Sequence, residues 1–447
     1  MDQIVTKKQQ DEAVEALKRL ISKASVYDES TIKNGQPFGK GINDALKEVL
    51  KICDELGFRT FRDPAGNYGY AEVGTGDKIF GIIGHMDEVP VGDKAAWTTD
   101  PFTADIRDGR IYGRGSQDDK GPSMAALFAV KALIDQGYEF NCRIRFIFGT
   151  DEENLWRGIA VYNQFEDQID MGIAPDAEFP VIYAEKGLQQ AYLVGEGSDD
   201  LDISIKAAFN AVPDSAPYNG PKVDEVKAAL DKFGFEYENT ADGINVIGKT
   251  VHAMNAPQGT NAILRLAMAL DEVFPGNKTL DFIGEVFKED ATGTNLLGKV
   301  ADEQSGQLTF NISSLEINAK ESRMQIDMRI PVTVDRDNLL VDLKAKVAPF
   351  NLQYEEFDYL APLYVPTDSK LVTTLMSTYK DLTGDNTQPQ ISSGATYART
   401  MNNCVAFGAM LPGVEDTMHQ VNENWELDKM FKAMDIYAEA IRRLCTK

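Results

Sequence analysis

The stretch from Ile79 to Asn154 carries IFGIIGHMDEVP at 79–90, GRGSQDDKGP at 113–122 and RIRFIFGTDEEN at 143–154. Two of these segments open with short apolar runs that end in glycine and polar residues, the mark of core strands in a parallel sheet. Between them, GPSMAALFAVKALID (121–135) has Pro122 near its first turn, with Met124, Leu127, Phe128 and Leu133 roughly on one face, which predicts a helix. Strand, acidic loop, helix, strand, acidic loop is the order of an open α/β sheet, whose ligands gather at the carboxyl ends of the strands. His85 and Asp87 follow the first strand, Asp118 and Asp119 precede the helix, and Glu152 and Glu153 follow the second strand. A histidine among several carboxylates at that end is metal-ligand chemistry.

The 447 residues are too many for one ordinary domain and suit two or three. A hydrophobic content of 43% supplies real cores, which argues against a disordered chain. The formal charge of −25 argues against nucleic acid or an anionic membrane as partner, since both need a basic face. No run approaches the roughly 18 apolar residues of a membrane span, and MDQIVTKKQQDEAVEAL reads as an amphipathic helix without a signal region. Cys53, Cys142, Cys404 and Cys445 lie far apart, as expected of reduced thiols in a cytoplasmic protein.

Composition changes after Gly187. From there to about Pro366 strand-like and helix-like pieces alternate, with an antiparallel pair expected around Asn318 to Arg323, as in an α+β domain. After Pro366 the first pattern returns. The chain therefore reads as a discontinuous catalytic domain, residues 1–187 and 367–447, interrupted by an α+β lid at 188–366.

Only three histidines occur, His85, His252 and His419, each in a polar or glycine-bearing loop. A lone histidine is commonly a hydrogen-bonded structural residue. His85 stands apart because Asp87, two residues on in an extended segment, points the same way and can fix its tautomer. Adjacent acids such as Asp118–Asp119 and Glu152–Glu153 are usually surface charge, yet carboxylates gathered beside core strands repel unless a cation sits among them. Neighbouring side chains cannot easily aim at one point, so within each pair one member can bind metal while the other handles a proton.

GHMDEVP, GRGSQDDKGP, GTDEEN, APDAEFP and MHQVNE together resemble the co-catalytic zinc metallopeptidases that include aminoacylase, carnosinase and carboxypeptidase G. The wording is most similar to the bacterial peptidase V type of dipeptidase, and the likeness runs through essentially the whole chain. The resemblance implies that His85 and Asp176 hold one metal, Glu153 and His419 the other, and that Asp118 bridges them. Two Zn²⁺ are implied, with Mn²⁺ or Co²⁺ as substitutes in a carboxylate-rich site. It further implies that Asp87 clamps His85, Glu152 is the general base, and His252 stabilises the oxyanion from an enlarged ferredoxin-like lid. Asn210 and Arg329 match positions that hold the substrate's terminal carboxylate, although Arg329 also suits a structural ion pair. Gly394 lies where the family has a glycine run, from which Ser392, Ser393 and Ala395 depart. Asp119 has no role in this scheme.

The expected function is a metal-dependent dipeptidase acting on unblocked dipeptides. The alternatives are an amidohydrolase of the same family acting on N-acyl amino acids, and a metal-dependent binding protein without turnover. The second is disfavoured because Glu152, needed only for catalysis, is present. The long insertion makes a monomer plausible.

Overall fold

The computed structural model describes residues 4–447, so the first three residues of the expected amino-terminal helix lie outside it. That helix runs Lys7–Ile21 and buries Ala13, Val14, Leu17, Leu20 and Ile21 on one side. The chain divides into two compact units. The first comprises residues 1–183, 364–390 and 396–447, and the second 184–363 and 391–395.

In the first unit the strands run Arg59–Arg62, Gly69–Gly74, Arg143–Gly149, Ile79–His85, Met171–Ala174 and Cys404–Ala406 in spatial order. The central strand, Ile79–His85, is buried at every residue, and it pairs in parallel with Arg143–Gly149 on one side and Met171–Ala174 on the other. Burial on both faces explains its unbroken apolar reading. Of these six strands the last four pair in parallel, while Arg59–Arg62 and Gly69–Gly74 join as an antiparallel hairpin at one edge. The crossover from Ile79–His85 to Arg143–Gly149 contains helix Lys120–Asp135, buried almost all round and packed against helices Lys7–Ile21 and Leu427–Cys445. The connecting hairpin pairs Asp105–Arg107 with Arg110–Tyr112. Asp108 and Gly109 make its turn with φ of 51° and 72°, the left-handed pair that a two-residue hairpin requires.

The second unit is an antiparallel sheet in the order Ile203–Lys206, Ser314–Ile317, Glu321–Ile330, Gly187–Glu196, Gln353–Leu360, with Thr309–Ile312 also on Glu321–Ile330. The expected turn is present: Glu316 pairs with Arg323, and Asn318 Oδ1 accepts from the amides of Lys320 and Glu321. Alternate residues of Gly187–Glu196 are buried. Ala191, Leu193, Met324, Ile326 and Met328 form one core with Leu266 and Leu270 of helix Ala262–Val273 and Leu340 and Leu343 of helix Arg336–Val347. Each leucine, isoleucine or methionine among them contributes roughly 1.5–3 kcal/mol on burial.

One expectation needs correction. The segment Ile391–Ala395, assigned from sequence to the first domain, clusters with the second unit. Its backbone is held there, since Ser392 O accepts from the Lys186 amide and Ser393 O accepts from Arg329 Nη1 at 2.7 Å.

Candidate active site

Five side chains of the first unit converge at the carboxyl ends of its parallel strands. His85 ends strand Ile79–His85, Glu153 follows strand Arg143–Gly149, and Asp176 follows strand Met171–Ala174. Asp118 lies in the loop before helix Lys120–Asp135, and His419 comes from a loop in the last part of the chain. Asp118 Oδ1 is 2.8 Å from His85 Nε2, and Asp118 Oδ2 is 2.8 Å from His419 Nε2. Asp176 Oδ2 stands 3.8 Å from His85 Nε2, and Glu153 Oε1 stands 3.2 Å from His419 Nε2. Each trio, His85–Asp118–Asp176 and Asp118–Glu153–His419, has its donor atoms within 4.8 Å of one another. One carboxylate therefore turns an oxygen to each of two potential cation sites. His419 adopts a left-handed φ of 62° to do this, a conformation uncommon outside glycine.

The supporting bonds fix these donors. His85 Nδ1 donates to the carbonyl oxygen of Asp87 at 3.0 Å, which fixes the ring with Nε2 turned to Asp118. The Asp87 carbonyl thus holds the ring, and the Asp87 carboxylate makes a further bond. Its Oδ2 accepts from the Glu153 amide at 3.0 Å, while Oδ1 lies 3.6 Å from Nδ1. Asp119 acquires a place as well. Its Oδ2 accepts from the His85 amide at 3.1 Å and from Ser123 Oγ at 3.0 Å. A Cβ at Gly84 would collide with both Asp119 Oδ2 and Ser123 Oγ, so glycine before the histidine is required.

Burial is the largest influence on the acids. It drives Glu152 and Asp176 well above the ordinary carboxylate range, with repulsion from Asp118 added in both cases. Burial, then Asp118, pushes Glu153 up to about 7. His419 is raised to about 10 by its bonds to Asp118 and Glu153. Left to themselves, these groups draw in protons, the behaviour of a donor set with more negative charge than it can bury. Carboxylate and imidazole donors grouped in two trios around a shared aspartate fit divalent cations of the zinc or manganese kind.

In the second unit Asn210 and His252 are neighbours. Ala211 bridges to His252, and the Asn210 carbonyl accepts from the Ala253 amide at 2.8 Å. His252 is exposed, and its Nδ1 accepts from the Met254 amide at 3.1 Å. That bond selects the tautomer with hydrogen on Nε2. Local desolvation, followed by the charge of Arg329, holds its pKa below the ordinary value, so the ring is neutral near pH 7. Arg329 is buried and chelates Asp327, with Nε to Oδ1 at 2.7 Å and Nη2 to Oδ2 at 3.2 Å. Together with Nη1 to Ser393 O, three of its five N–H donors are spent on this structure. Gly394 follows directly in the same half-buried loop, and its amide donates to Ser392 Oγ at 2.8 Å.

The sequence profile of "Peptidase family M20/M25/M40" matches residues 81–443, from the buried central strand to the final helix. The chain belongs to this family. As an M20 peptidase it is 36% identical over 443 residues to YtjP, a Bacillus subtilis (strain 168) protein that carries a dipeptidase name, with 94% of each chain covered. It is 35% identical over 458 residues to the Beta-Ala-Xaa dipeptidase of Lactobacillus delbrueckii subsp. lactis, covering 97% of this chain and 96% of that one. Among solved structures, the M20 family metallo-carboxypeptidase Sso-CP2 of Sulfolobus solfataricus shares its fold with a TM-score of 0.60 at 20% identity. That match covers 97% of this chain and 99% of the other.

Sequence reading of this M20 peptidase missed Asp119 and Tyr397. Tyr397 is buried with its ring edge-on to His85, at 6.4 Å between centroids, and to Trp156, at 5.1 Å. It packs so close to the strand end that a Cβ at Gly149 would strike its ring. An aromatic residue opening the short helical turn Tyr397–Thr400, far from His85 in sequence, carries no local sign of such a contact.

Among the described residues no helix is long and apolar enough to cross a membrane.

Proposed function

We propose that this peptidase is a dinuclear metal-dependent dipeptidase that hydrolyses dipeptides with a free amino end. The observation that carries the reading is the shared aspartate, Asp118, with His85 on one oxygen and His419 on the other. His85, Asp118 and Asp176 would hold one cation, and Asp118, Glu153 and His419 the second, with zinc the leading candidate. When bound, such a pair lowers the pKa of a water and polarises the scissile carbonyl.

The remaining roles belong to the chain. Glu152, half-buried and raised in pKa, takes the water's proton and returns it to the leaving amine. Asp87 orients His85 through its carbonyl and Glu153 through its carboxylate. The Nε2–H of His252 donates to the carbonyl oxygen as negative charge develops on it, which a neutral ring with an occupied Nδ1 is prepared to do. The substrate's carboxylate is received by Asn210, by Gly394 and by the N–H groups of Arg329 that Asp327 and Ser393 leave over. The dipeptidase names of two relatives support a dipeptide over an N-acyl amino acid.

The test is amino-acid release from a matched set, namely a free dipeptide, its N-acetylated form and the corresponding tripeptide. Each is assayed with zinc or manganese and again after chelation. Cleavage of the free dipeptide alone, lost on chelation, is the expected result. Preference for the acetylated form would move the protein to the amidohydrolases, and no turnover with any metal would overturn the enzyme reading.

A further inference from the structure

Two loops far apart in sequence, 113–120 and 415–424, each deliver part of the shared-aspartate site. Their union runs through two fully buried polar side chains, Glu423 and Gln117. Glu423 Oε1 accepts from the amides of Gln117, at 2.8 Å, and Asp118, at 3.3 Å. Its Oε2 accepts from Arg114 Nη1 at 2.6 Å and from the Gly115 amide at 3.2 Å. The Glu423 carbonyl also accepts from the Gly113 amide. One carboxylate from the His419 loop therefore pins the backbone that presents Asp118. The tie is reciprocal. Gln117 Nε2 donates to the Glu415 carbonyl at 2.9 Å, and Gln117 Oε1 accepts from the Thr417 amide at 3.0 Å, two residues before His419.

We propose that Glu423 and Gln117 are positioning residues which set the distance between Asp118 and His419, and with it the affinity for the second cation. Neither side chain contacts a donor atom of the two trios; both act through the backbones that carry Asp118 and His419. The arrangement suits a charge in the Glu423 position, because four donors converge on its two oxygens and a buried ion paired this way is stable only when its lone pairs are filled. Gln in its place would turn an amide N–H₂ toward donors. This inference rests on the dimetal reading and deepens it.

The experiment uses the full chain, stripped of metal and titrated with Mn²⁺ and Zn²⁺ by calorimetry, as wild type, Glu423→Gln and Gln117→Met. Gln117→Met keeps the arginine–glutamate pair intact and so guards against a Glu423 variant that folds poorly. Melting of the metal-free proteins is followed in parallel. The expected result is a roughly 10- to 100-fold weaker second binding step in both variants, the range for outer-shell ligand support. A fall in kcat on a dipeptide with little change in KM should accompany it. Wild-type binding in both variants, with only a lower melting temperature, would assign the pair to general folding and overturn the proposal. A wild-type protein that binds no divalent ion would overturn the dimetal reading itself, and this inference with it.

Discussion

Glu152 and His252 are the side chains whose removal separates chemistry from architecture. Glu152→Gln keeps the volume and removes the proposed proton acceptor, so dipeptide turnover should fall about 100- to 10,000-fold with metal content unchanged, as checked by elemental analysis. His252→Ala should lower kcat by about 100- to 1,000-fold, the loss expected for one oxyanion donor, again with both ions retained. Equal turnover in the alanine variant would remove His252 from the reaction. At this scale the sequence was informative where spacing alone fixes direction. His85 and Asp87 alternate along an extended segment, so their association was legible, but which atom of Asp87 does the holding was not. Backbone carbonyls have no signature in a sequence, and the Asp87 carboxylate is claimed by the Glu153 amide, 66 positions away. Asp119 was illegible for the same reason, its partner being the amide of His85.

Helix Leu427–Cys445 offers a test at the level of an element. Glu439 is buried and accepts from Arg442 Nε at 2.7 Å and from Arg443 Nε at 2.7 Å. The Arg442 bond is the largest cause of a pKa held below the ordinary glutamate value. A carboxyl depressed in the folded state contributes stability above its unfolded pKa, near 4.3, and loses it as pH falls through the folded value. Glu439→Gln should therefore destabilise by about 1.5–3 kcal/mol at pH 7. The gap from wild type should close as pH falls below the unfolded glutamate value and through the lower folded one, as read by urea unfolding across that range. A gap that persists in acid would show that the loss is packing, not charge. Elements with strong local signals were readable, among them the buried strands, the Asp108–Gly109 hairpin and the long helices. The segment Ile391–Ala395 was not, because it is placed by the Lys186 amide and the Arg329 guanidinium, contacts made only after folding.

At the scale of the whole molecule, the carboxylate excess around Asp118 predicts that the ions stabilise the fold. A ligand bound only by the native chain adds about 2.7 kcal/mol when present at 100 times its Kd. Chelation should accordingly lower the melting temperature, and zinc or manganese, but not added salt, should restore it. An unchanged melting curve would deny the cations a place in the native state. The net charge of −25 does not help to draw in an anionic substrate, so the proposed dipeptide needs local donors for its carboxylate, the part proposed for Arg329. The most direct test of the account is to titrate metal-free protein with zinc or manganese while following bound ion and dipeptide hydrolysis together. Turnover that rises with occupancy and saturates at two ions per chain is the predicted result. Full turnover in the chelated protein, or saturation without any bound ion, would contradict it.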